Sequence, residues 1–347
     1  MADVLAVGDE FIPAAEFRDA LVQAELGDAR TFQLPGTKAE QHESQQLMEK
    51  GGAGAVSAPA ELLAAVAGAE VLCVHFAPVS APVLAASEAL KLVAVARTGL
   101  ENVDIPAATA GGIGVVPVFG RNASAVAELQ IGLMLSEARN IARADASVKA
   151  GEWRKEFPGA RIEIGGRTVG MLGFGQVGRR FAEKLAGFAP RLIAYDPYVA
   201  DEVLSASGVE RAASADQVFS ESDFVVVQLR HGPETDRMID AKHFALMKPE
   251  AYFINVSRSR VVDTEALYDV LSTGRISGAG LDVFDHEPLP ADSPWRALDN
   301  VTFTTHFGGD TIDTNRTSVR LVAAAVQEFL ATGRCGSAAN AADLGWV

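Results

Sequence analysis

Short runs of apolar residues alternate with amphipathic stretches along almost the whole chain. Such short runs predict strands buried on both faces, and the amphipathic stretches between them predict crossover helices. Repeated strand–helix units of this kind predict parallel sheets with helices on both faces, which is the α/β fold class. The predicted strands lie at 3–8, 30–34, 70–75, 92–96, 113–116, 168–172, 191–195, 223–228, 251–255, 277–283 and 301–304.

Two amphipathic patterns are longer than the others and predict the longest helices. One runs from Ser124 to Ala150, and Asn122 or Ser124 is expected to cap its first turn. The other runs over 311–331. The polar segment 36–46 is predicted to be a surface loop that leads into a helix. Shorter helices are expected at about 13–26, 43–50, 59–67, 81–89 and 105–110.

The composition permits two domains of ordinary size and excludes two kinds of partner. The chain has 347 residues, of which 48% are hydrophobic and 22% are charged. This is enough apolar material for packed cores. The formal net charge is −15, and a field of that sign repels nucleic acid and anionic membrane surfaces. Neither is therefore expected as a partner.

Several features together predict a cytoplasmic protein. Residues 2–7 already form a strand pattern with no basic segment before them, so no signal peptide is expected. No uncharged apolar stretch reaches the roughly 20 residues that a membrane-spanning helix needs. Cys73 and Cys335 are too few for a disulfide framework, and Cys73 is expected to be a small buried side chain.

The sharpest local pattern is a glycine-rich turn between a predicted strand and a predicted helix. Gly173, Gly175 and Gly178 have G-x-G-x-x-G spacing. The first glycine permits a tight turn, the second lets the backbone approach a pyrophosphate, and the third lets the helix pack on the strand. At the start of the helix, the amides of Gln176 and Val177 would bind phosphate oxygens.

An acidic residue at the end of the next predicted strand supports a dinucleotide site. Asp196 lies 18 residues after Gly178, close to the offset of roughly 20 residues found in such sites. A carboxylate there can accept both hydroxyls of an adenosine ribose, and it would repel a 2′-phosphate. The sequence therefore predicts NAD rather than NADP as the cofactor.

Five further segments can be singled out along the chain: RTGLENVD (97–104), NASAVAEL (122–129), INVSRSRVVD (254–263), GAGLDVFDHEP (278–288) and TTHFGGDT (304–311). Together with the glycine turn, they resemble the D-isomer-specific 2-hydroxyacid dehydrogenases. They occur in the family's order over nearly the whole chain, and each is separately characteristic. The resemblance extends to phosphoglycerate dehydrogenases, although no C-terminal regulatory domain of that kind is expected here.

The resemblance implies two doubly wound parallel-sheet domains. A Rossmann NAD-binding domain at 119–309 would be inserted into a flavodoxin-like substrate domain at 1–118 and 310–347. Two crossover helices, 122–150 and 311–331, would join the domains. The family also implies a homodimer built largely on the NAD-binding domains.

The chemistry of a 2-hydroxy acid needs a group that holds the carboxylate and a base that takes the hydroxyl proton. Arg258 follows the predicted strand 251–255, where a guanidinium can grip a carboxylate in bidentate fashion. The family motif makes Arg258 the substrate arginine, whereas Arg260 fits a surface residue. His306 follows the strand 301–304, and imidazole can accept or return a proton near neutral pH.

The resemblance gives His306 a carboxylate partner. Glu287 lies 29 residues after Arg258, at the family's position for the acid that fixes the imidazole tautomer and stabilises the imidazolium. Asp282, 24 residues after Arg258, is implied to lie close to the nicotinamide. His286 neighbours the acid and is the most plausible competitor for the catalytic assignment.

Binding residues complete the predicted site. The amides of Gly99 and Leu100, after the predicted strand 92–96, are expected to bind the substrate carboxylate. Arg258 and His306 are expected to contact the substrate as well. No metal is expected. The resemblance implies further cofactor contacts from Leu229, Arg230, Val256, Ser257, Asp282 and Gly308.

Five residues allow two interpretations each. His75 and His231 end predicted strands and could contact substrate or be structural. Asn102 fits either a hydrogen bonder in a hinge loop or an ordinary turn residue. Arg230 stands where the family usually has proline, and it could reach a distal group of the substrate or point into solvent. Ser259 replaces the family's glycine, so it would alter the loop or require an ordinary backbone conformation.

The sequence as a whole predicts an NAD-dependent oxidoreductase that acts on a small D-2-hydroxy acid or 2-keto acid. Glyoxylate, hydroxypyruvate, phosphoglycerate or a sugar-derived acid would fit. The alternative is an NAD(H)-sensing, corepressor-like binding protein, which would keep the catalytic trio and bind NADH without turning over a keto acid.

Overall fold

The short apolar runs form twelve strands within residues 2–347, the part of the chain that the computed structural model describes. Every pairing between neighbouring strands is parallel, and the strands form two sheets. The strands are β1 (Val4–Gly8), β2 (Arg30–Gln33), β3 (Val71–Val74), β4 (Leu92–Val95), β5 (Gly114–Pro117), β6 (Thr168–Leu172), β7 (Arg191–Tyr195), β8 (Glu210–Arg211), β9 (Phe224–Val227), β10 (Tyr252–Asn255), β11 (Gly278–Leu281) and β12 (Val301–Phe303).

Helices connect successive strands, as the alternating pattern predicts, except that only a 3₁₀ turn at Pro294–Ala297 lies between β11 and β12. Short 3₁₀ turns add to them, including one at Ser259–Val261 directly after Arg258. The α-helices are α1 (Ala14–Gln23), α2 (Lys38–Gly51), α3 (Ala60–Val66), α4 (Ala81–Leu84), α5 (Ile105–Ala110), α6 (Ala123–Arg139), α7 (Ile141–Lys149), α8 (Gln176–Leu185), α9 (Asp201–Ala206), α10 (Ala215–Glu221), α11 (Ala241–Leu246), α12 (Thr264–Ser272) and α13 (Ile312–Thr332).

The first unit comprises the residues up to Arg121 together with Thr311–Val347. Its five strands have the order β2-β1-β3-β4-β5, which is the flavodoxin-like order. Apolar side chains pack on both faces of this sheet. Phe17 of α1 and Val322 of α13 belong to one core cluster, and Leu62 of α3 belongs to the other.

The second unit spans Asn122–Asp310. Its seven strands have the order β12-β11-β10-β9-β6-β7-β8. The sheet therefore starts at β6 and grows first to one side and then to the other, which is the Rossmann arrangement with a switch point between β6 and β9. The predicted α/β class with two doubly wound parallel sheets is confirmed.

The long helix predicted between Ser124 and Ala150 is wrong in one respect. The helix is interrupted at Asn140, which adopts a left-handed conformation with φ of 55° and separates α6 from α7. Asparagine tolerates this conformation better than most residues. Asn122 precedes the first turn of α6, but its side chain makes no capping hydrogen bond.

The prediction of a surface loop over the polar segment 36–46 is wrong for most of its length, because α2 begins at Lys38. Thr37 and Glu40 form a reciprocal capping box at the start of α2, and such a box stabilises a helix start without an apolar signal. Gln41 is buried and accepts a hydrogen bond from the amide of Glu10. The helix predicted at 43–50 is thus the second half of α2. Its first half was missed because residues 38–42 have no apolar pattern, and the buried Gln41 supplies a polar contact there.

Among residues 2–347, no helix combines the length and the apolar character that crossing a membrane requires.

A buried ion pair holds the interrupted helix to the sheet of the second unit. Glu137 of α6 is fully buried, and its Oε2 lies 2.7 Å from Nη2 of Arg143 in α7. Thr302 of β12 donates a hydrogen bond to Oε1 of Glu137. Arg143 also donates to the side chain of Asn140 and to the carbonyl of Asp299. Burial raises the pKa of the Glu137 carboxyl, while Arg143 opposes that rise.

We expect Arg143→Ala to lower the free energy of unfolding of the second unit by about 3–5 kcal/mol, because it leaves Glu137 buried without its cation. Thermal melting of the full chain measures this loss. Arg180→Ala is the matched control, because Arg180 pairs with Glu183 at an exposed site and such pairs contribute little. Equal melting temperatures for the two variants would contradict the structural role of Arg143.

Candidate active site

The glycine turn joins β6 to α8 at the switch point of the seven-stranded sheet. Gly173 has φ of +91°, and a Cβ there would lie 3.1 Å from the carbonyl oxygen of Gln228. Residues that carry a side chain rarely adopt this backbone conformation, so the turn needs glycine at this position. The helix begins at Gln176, and its first amides, those of Gln176 and Val177, have no acceptor within the helix.

The second and third glycines of the turn differ in their surroundings. A Cβ on Gly175 would meet no atom within 4 Å, whereas one on Gly178 would lie 2.5 Å from Oε1 of Gln228 and 3.1 Å from Cδ2 of Phe174. The backbone at Gly175 is thus open to a bound group. The backbone at Gly178 is closely packed, so the two positions suit the approach of a pyrophosphate and the packing of the helix respectively.

Asp196 connects the end of β7 to the glycine turn. Its Oδ2 accepts a hydrogen bond from the amide of Phe174 at 2.8 Å, and its Oδ1 accepts one from the amide of Tyr198 at 2.9 Å. Each carboxylate oxygen keeps a second lone pair. The carboxylate can therefore hold the turn and still accept hydroxyl groups of a ribose.

Two of the implied cofactor residues follow β9. The side chain of Leu229 lies beside the turn, because a Cβ on Gly173 would be 3.5 Å from its Cδ2. Arg230 is exposed, and its carbonyl accepts a hydrogen bond from Oγ1 of Thr235. Within residues 2–347 its guanidinium makes no hydrogen bond or ion pair.

The loop after β10 carries Arg258, and a buried amide shapes that loop. Oδ1 of Asn255 accepts hydrogen bonds from the amide and hydroxyl of Ser257, while its Nδ2 donates to the carbonyl of Arg258. Arg258 is exposed and donates through Nη1 to the carbonyl of Ser257. Ser259 begins a 3₁₀ turn and has no positive φ, so the loop has the ordinary backbone conformation that serine needs. Sequence analysis missed Asn255.

The closest contact between predicted catalytic residues joins two loops of the second unit. Nδ1 of His306 lies 2.7 Å from Oε2 of Glu287, and Oε1 of Glu287 accepts a hydrogen bond from the amide of Phe284. The imidazole is partly exposed. With Nδ1 donating to the carboxylate, Nε2 remains for a reacting group, which is the arrangement of a histidine–acid pair in general acid–base chemistry.

A buried carboxylate holds the loop that presents His306. Asp282 is 1% exposed. Its Oδ1 accepts from the hydroxyl of Thr304 at 2.5 Å and from the amide of Phe307, and its Oδ2 accepts from the amide of Gly308. His306 itself has φ of 58°, a left-handed conformation that costs about 1–2 kcal/mol for a residue with a Cβ. Asp282 is thus a direct support of the histidine.

Gly308 is packed as closely as Gly178. A Cβ there would lie 2.7 Å from Cγ1 of Val256 and 3.0 Å from Oδ2 of Asp282, so these three implied cofactor residues meet at one place. Arg258, Glu287 and His306 follow β10, β11 and β12, which are neighbours in the sheet. The carboxyl ends of parallel strands share one edge, and all three residues therefore belong to the same edge.

The loop that is predicted to bind the substrate carboxylate lies in the first unit, after β4. Within residues 2–347, the amides of Gly99 and Leu100 donate no hydrogen bond to another residue. The carboxylate of Glu101 covers Gly99: a Cβ there would be 2.4 Å from its Oε2. Arg97 lies against the same position and pairs with both Glu101 and Glu49.

A second histidine–acid pair lies in the first unit, and sequence analysis missed its acid. Asp9 follows β1, His75 follows β3, and Nδ1 of His75 lies 3.0 Å from Oδ2 of Asp9. Burial by itself raises the pKa of Asp9, but hydrogen bonding from His75 and from the amides of Ile12 and Phe11 outweighs it, so this pKa lies below its ordinary value. Burial lowers the pKa of His75 despite the opposing effect of Asp9.

The remaining candidates have structural contacts. Asn102 is fully buried and donates to the carbonyls of His75 and Ala77, which makes it a tether of its loop. His231 lies 2.7 Å from Asp236, which Arg260 also approaches at 3.6 Å. No group of three or more histidine, cysteine or acidic side chains within the described residues is placed to hold a metal ion.

Comparison with known proteins identifies the family. A family model described as D-isomer specific 2-hydroxyacid dehydrogenase, NAD binding domain, matches residues 131–308. The chain belongs to this family. It is 38% identical over 260 residues to a hydroxypyruvate reductase from Thermotoga maritima, with 74% of this chain and 83% of that protein covered.

Two further similar proteins bear on length and fold. A D-3-phosphoglycerate dehydrogenase from Methanocaldococcus jannaschii is 39% identical over 272 residues, which cover 78% of this chain and 51% of that protein. The chain thus spans about half the length of that relative. The structure of D-lactate dehydrogenase from Escherichia coli superposes with a TM-score of 0.66 at 26% identity, with 96% of this chain and 99% of that chain covered.

We expect Asp282→Ala to lower the free energy of unfolding by about 2 kcal/mol or more, because the buried amide of Gly308 and its neighbouring donors lose their acceptor. Thermal melting measures the loss, and hydrogen exchange of the Phe307 and Gly308 amides should accelerate. Asp292→Ala, at an exposed position, is the control and should leave both measurements unchanged. Unaltered exchange at Gly308 in Asp282→Ala would refute the support that we assign to Asp282.

Proposed function

We propose that this dehydrogenase family member is an NAD-dependent oxidoreductase that interconverts a small D-2-hydroxy acid and the corresponding 2-keto acid. The contact of 2.7 Å between His306 and Glu287 carries this proposal. It supplies a proton-transferring group beside a strand end that bears Arg258, within a domain whose family is established. The bound NAD would supply or accept the hydride.

Each member of the catalytic trio has a separate task in this proposal. In the direction of reduction, Nε2 of His306 donates its proton to the keto oxygen, and Glu287 stabilises the imidazolium before that transfer. Arg258 holds the substrate carboxylate through two parallel hydrogen bonds. The amides of Gly99 and Leu100 are proposed as further donors to that carboxylate.

The second unit is proposed as the NAD-binding domain and the first as the substrate domain. The open backbone at Gly175 and the amides of Gln176 and Val177 would hold the pyrophosphate. Asp196 would accept the ribose hydroxyls, which favours NAD over NADP. Leu229, Arg230, Val256, Ser257, Asp282 and Gly308 are proposed to surround the rest of the cofactor.

The proposed substrate class is inferred from the names of the relatives, and no individual substrate is proposed. Hydroxypyruvate reductase and D-3-phosphoglycerate dehydrogenase are the names of two relatives, and both concern short carboxylic acids. We further propose a cytoplasmic homodimer formed through the second unit. The exposed apolar side chains of Ile141, Val148 and Trp153 in that unit support such an interface.

A spectrophotometric screen of glyoxylate, hydroxypyruvate and other 2-keto acids with NADH and NADPH tests the proposal. We expect Arg258→Ala to lower kcat/KM by about 100-fold or more, since two charge-assisted hydrogen bonds are lost. Arg260→Ala is the matched control in the same loop and should keep wild-type kinetics. His306→Ala should lower kcat by about 10²–10⁴-fold.

The same screen separates the enzyme from a binding protein. Tight binding of NADH without turnover of any 2-keto acid would defeat the oxidoreductase and favour the corepressor-like alternative. Normal turnover in both Arg258→Ala and His306→Ala would remove the proposed trio even if the activity itself is present.

The cofactor site is tested by Gly175→Ala, which should raise the Kd for NADH by about tenfold, because a methyl group would occupy the space against which the pyrophosphate lies. The melting temperature without NADH should not change, since no atom lies within 4 Å of the new methyl group. Gly187→Ala is equally unhindered and is the control. An unchanged Kd in Gly175→Ala would place the pyrophosphate elsewhere.

A further inference from the structure

A cavity of about 390 Å³ lies within the second unit, beside the loops that carry Arg258 and Glu287. Leu267 of α12, Leu281 of β11 and Trp295 form apolar parts of its wall. Its volume falls within the range of roughly 300–1,000 Å³ that small-molecule sites have. Arg258 and Glu287 do not line it, so it is separate from the catalytic groups although it adjoins them.

The cavity lies on the opposite face of the sheet from the glycine turn's helix. Leu267 and Leu281 belong to the core cluster that includes Phe244 of α11. Phe181 of α8 belongs to the other cluster, together with Leu133 of α6. A molecule in the cavity and a dinucleotide at the start of α8 would therefore occupy different faces of the sheet.

The wall chemistry selects the charge of an occupant. Asp285 and Asp292 line the cavity, and His286 is the one basic side chain among its described lining residues. Oδ2 of Asp285 accepts a hydrogen bond from Thr264, whereas Asp292 is exposed and makes no hydrogen bond within residues 2–347. An apolar pocket with carboxylates at its rim attracts a cation that carries an apolar body, and it repels carboxylates and phosphates.

Two lining residues also make hydrogen bonds to the loops that carry Arg258 and Glu287. Asn255 lines the cavity, and its side chain donates to the carbonyl of Arg258. Phe284 lines it as well, and its amide donates to Oε1 of Glu287. An occupant would thus contact residues that hold the backbone of Arg258 and the carboxylate of Glu287.

We propose that this cavity is a second small-molecule site, which binds a primary amine with a small apolar body and thereby changes turnover at the catalytic residues. The binding half of the proposal is independent of the oxidoreductase activity. The effect on turnover rests on the proposed function.

Binding is tested by ¹⁹F NMR on the full chain labelled with 5-fluorotryptophan, since the protein contains 3 tryptophans. Benzylamine, benzyl alcohol and benzoate are the probes, because they share a ring and differ in charge. We expect benzylamine to shift the Trp295 resonance saturably, while Trp153 and Trp346 stay unchanged. Benzyl alcohol should bind more weakly, and benzoate should not shift Trp295. The Trp295→Phe variant assigns the resonance.

Two variants and one control localise the site. Ser293→Phe, at a lining residue, should fill the cavity and abolish the shift, whereas Ser272→Phe on the exposed end of α12 should preserve it. Asp292→Asn should raise the Kd for benzylamine by about threefold or more and leave benzyl alcohol unaffected. No saturable shift of Trp295, an equal shift with benzoate, or retained binding in Ser293→Phe would overturn the site.

The coupling is tested by kinetics with the best 2-keto acid. Benzylamine should change kcat by about threefold in the wild type and in Ser272→Phe, and it should have no effect in Ser293→Phe. A shift of Trp295 with unchanged kcat would overturn the coupling while the site stands. If the protein turns over no 2-keto acid, the proposed function fails, and the NMR experiment still decides the binding.

Discussion

The hydrogen bonds to the carboxylate of Asp282 are the constraint on which the candidate active site depends. His306 occupies a left-handed conformation that a residue with a Cβ does not adopt by preference. The loop keeps this conformation because Thr304, Phe307 and Gly308 all donate to the same buried carboxylate. Glu287 then has an imidazole within 2.7 Å. The carboxylate of Asp282 therefore positions the pair of His306 and Glu287, and it need not touch the substrate to do so.

Topology brings the other components to the same edge. The seven-stranded sheet reverses its direction of growth between β6 and β9, and the glycine turn opens directly beside that point. Arg258, Glu287 and His306 follow three neighbouring strands further along. Each residue lies in a short loop whose start is fixed by a buried strand, so few dihedral angles separate a rigid scaffold from a functional group.

Much of this arrangement could be predicted from sequence, because it depends on local patterns. Apolar runs separated by helical stretches predict parallel sheets, and glycine spacing predicts the turn at 173–178. Long-range polar contacts were harder to find. Nothing near Asn255 in the chain indicates that its side chain holds Arg258, and the pairing of Asp9 with His75 appears only once β1 and β3 are neighbours. The two-residue strand β8 and the polar first half of α2 lack an apolar signal of their own.

The close approach of Gln228 to Gly178 has a consequence for how related chains diverge. The third position of such a turn accepts either glycine or alanine in dinucleotide-binding proteins. Here the long amide of Gln228 fills the space that an alanine methyl would need. Substitutions at these two positions should therefore be correlated among homologues, with alanine in the turn accompanied by a shorter side chain at the end of the neighbouring strand.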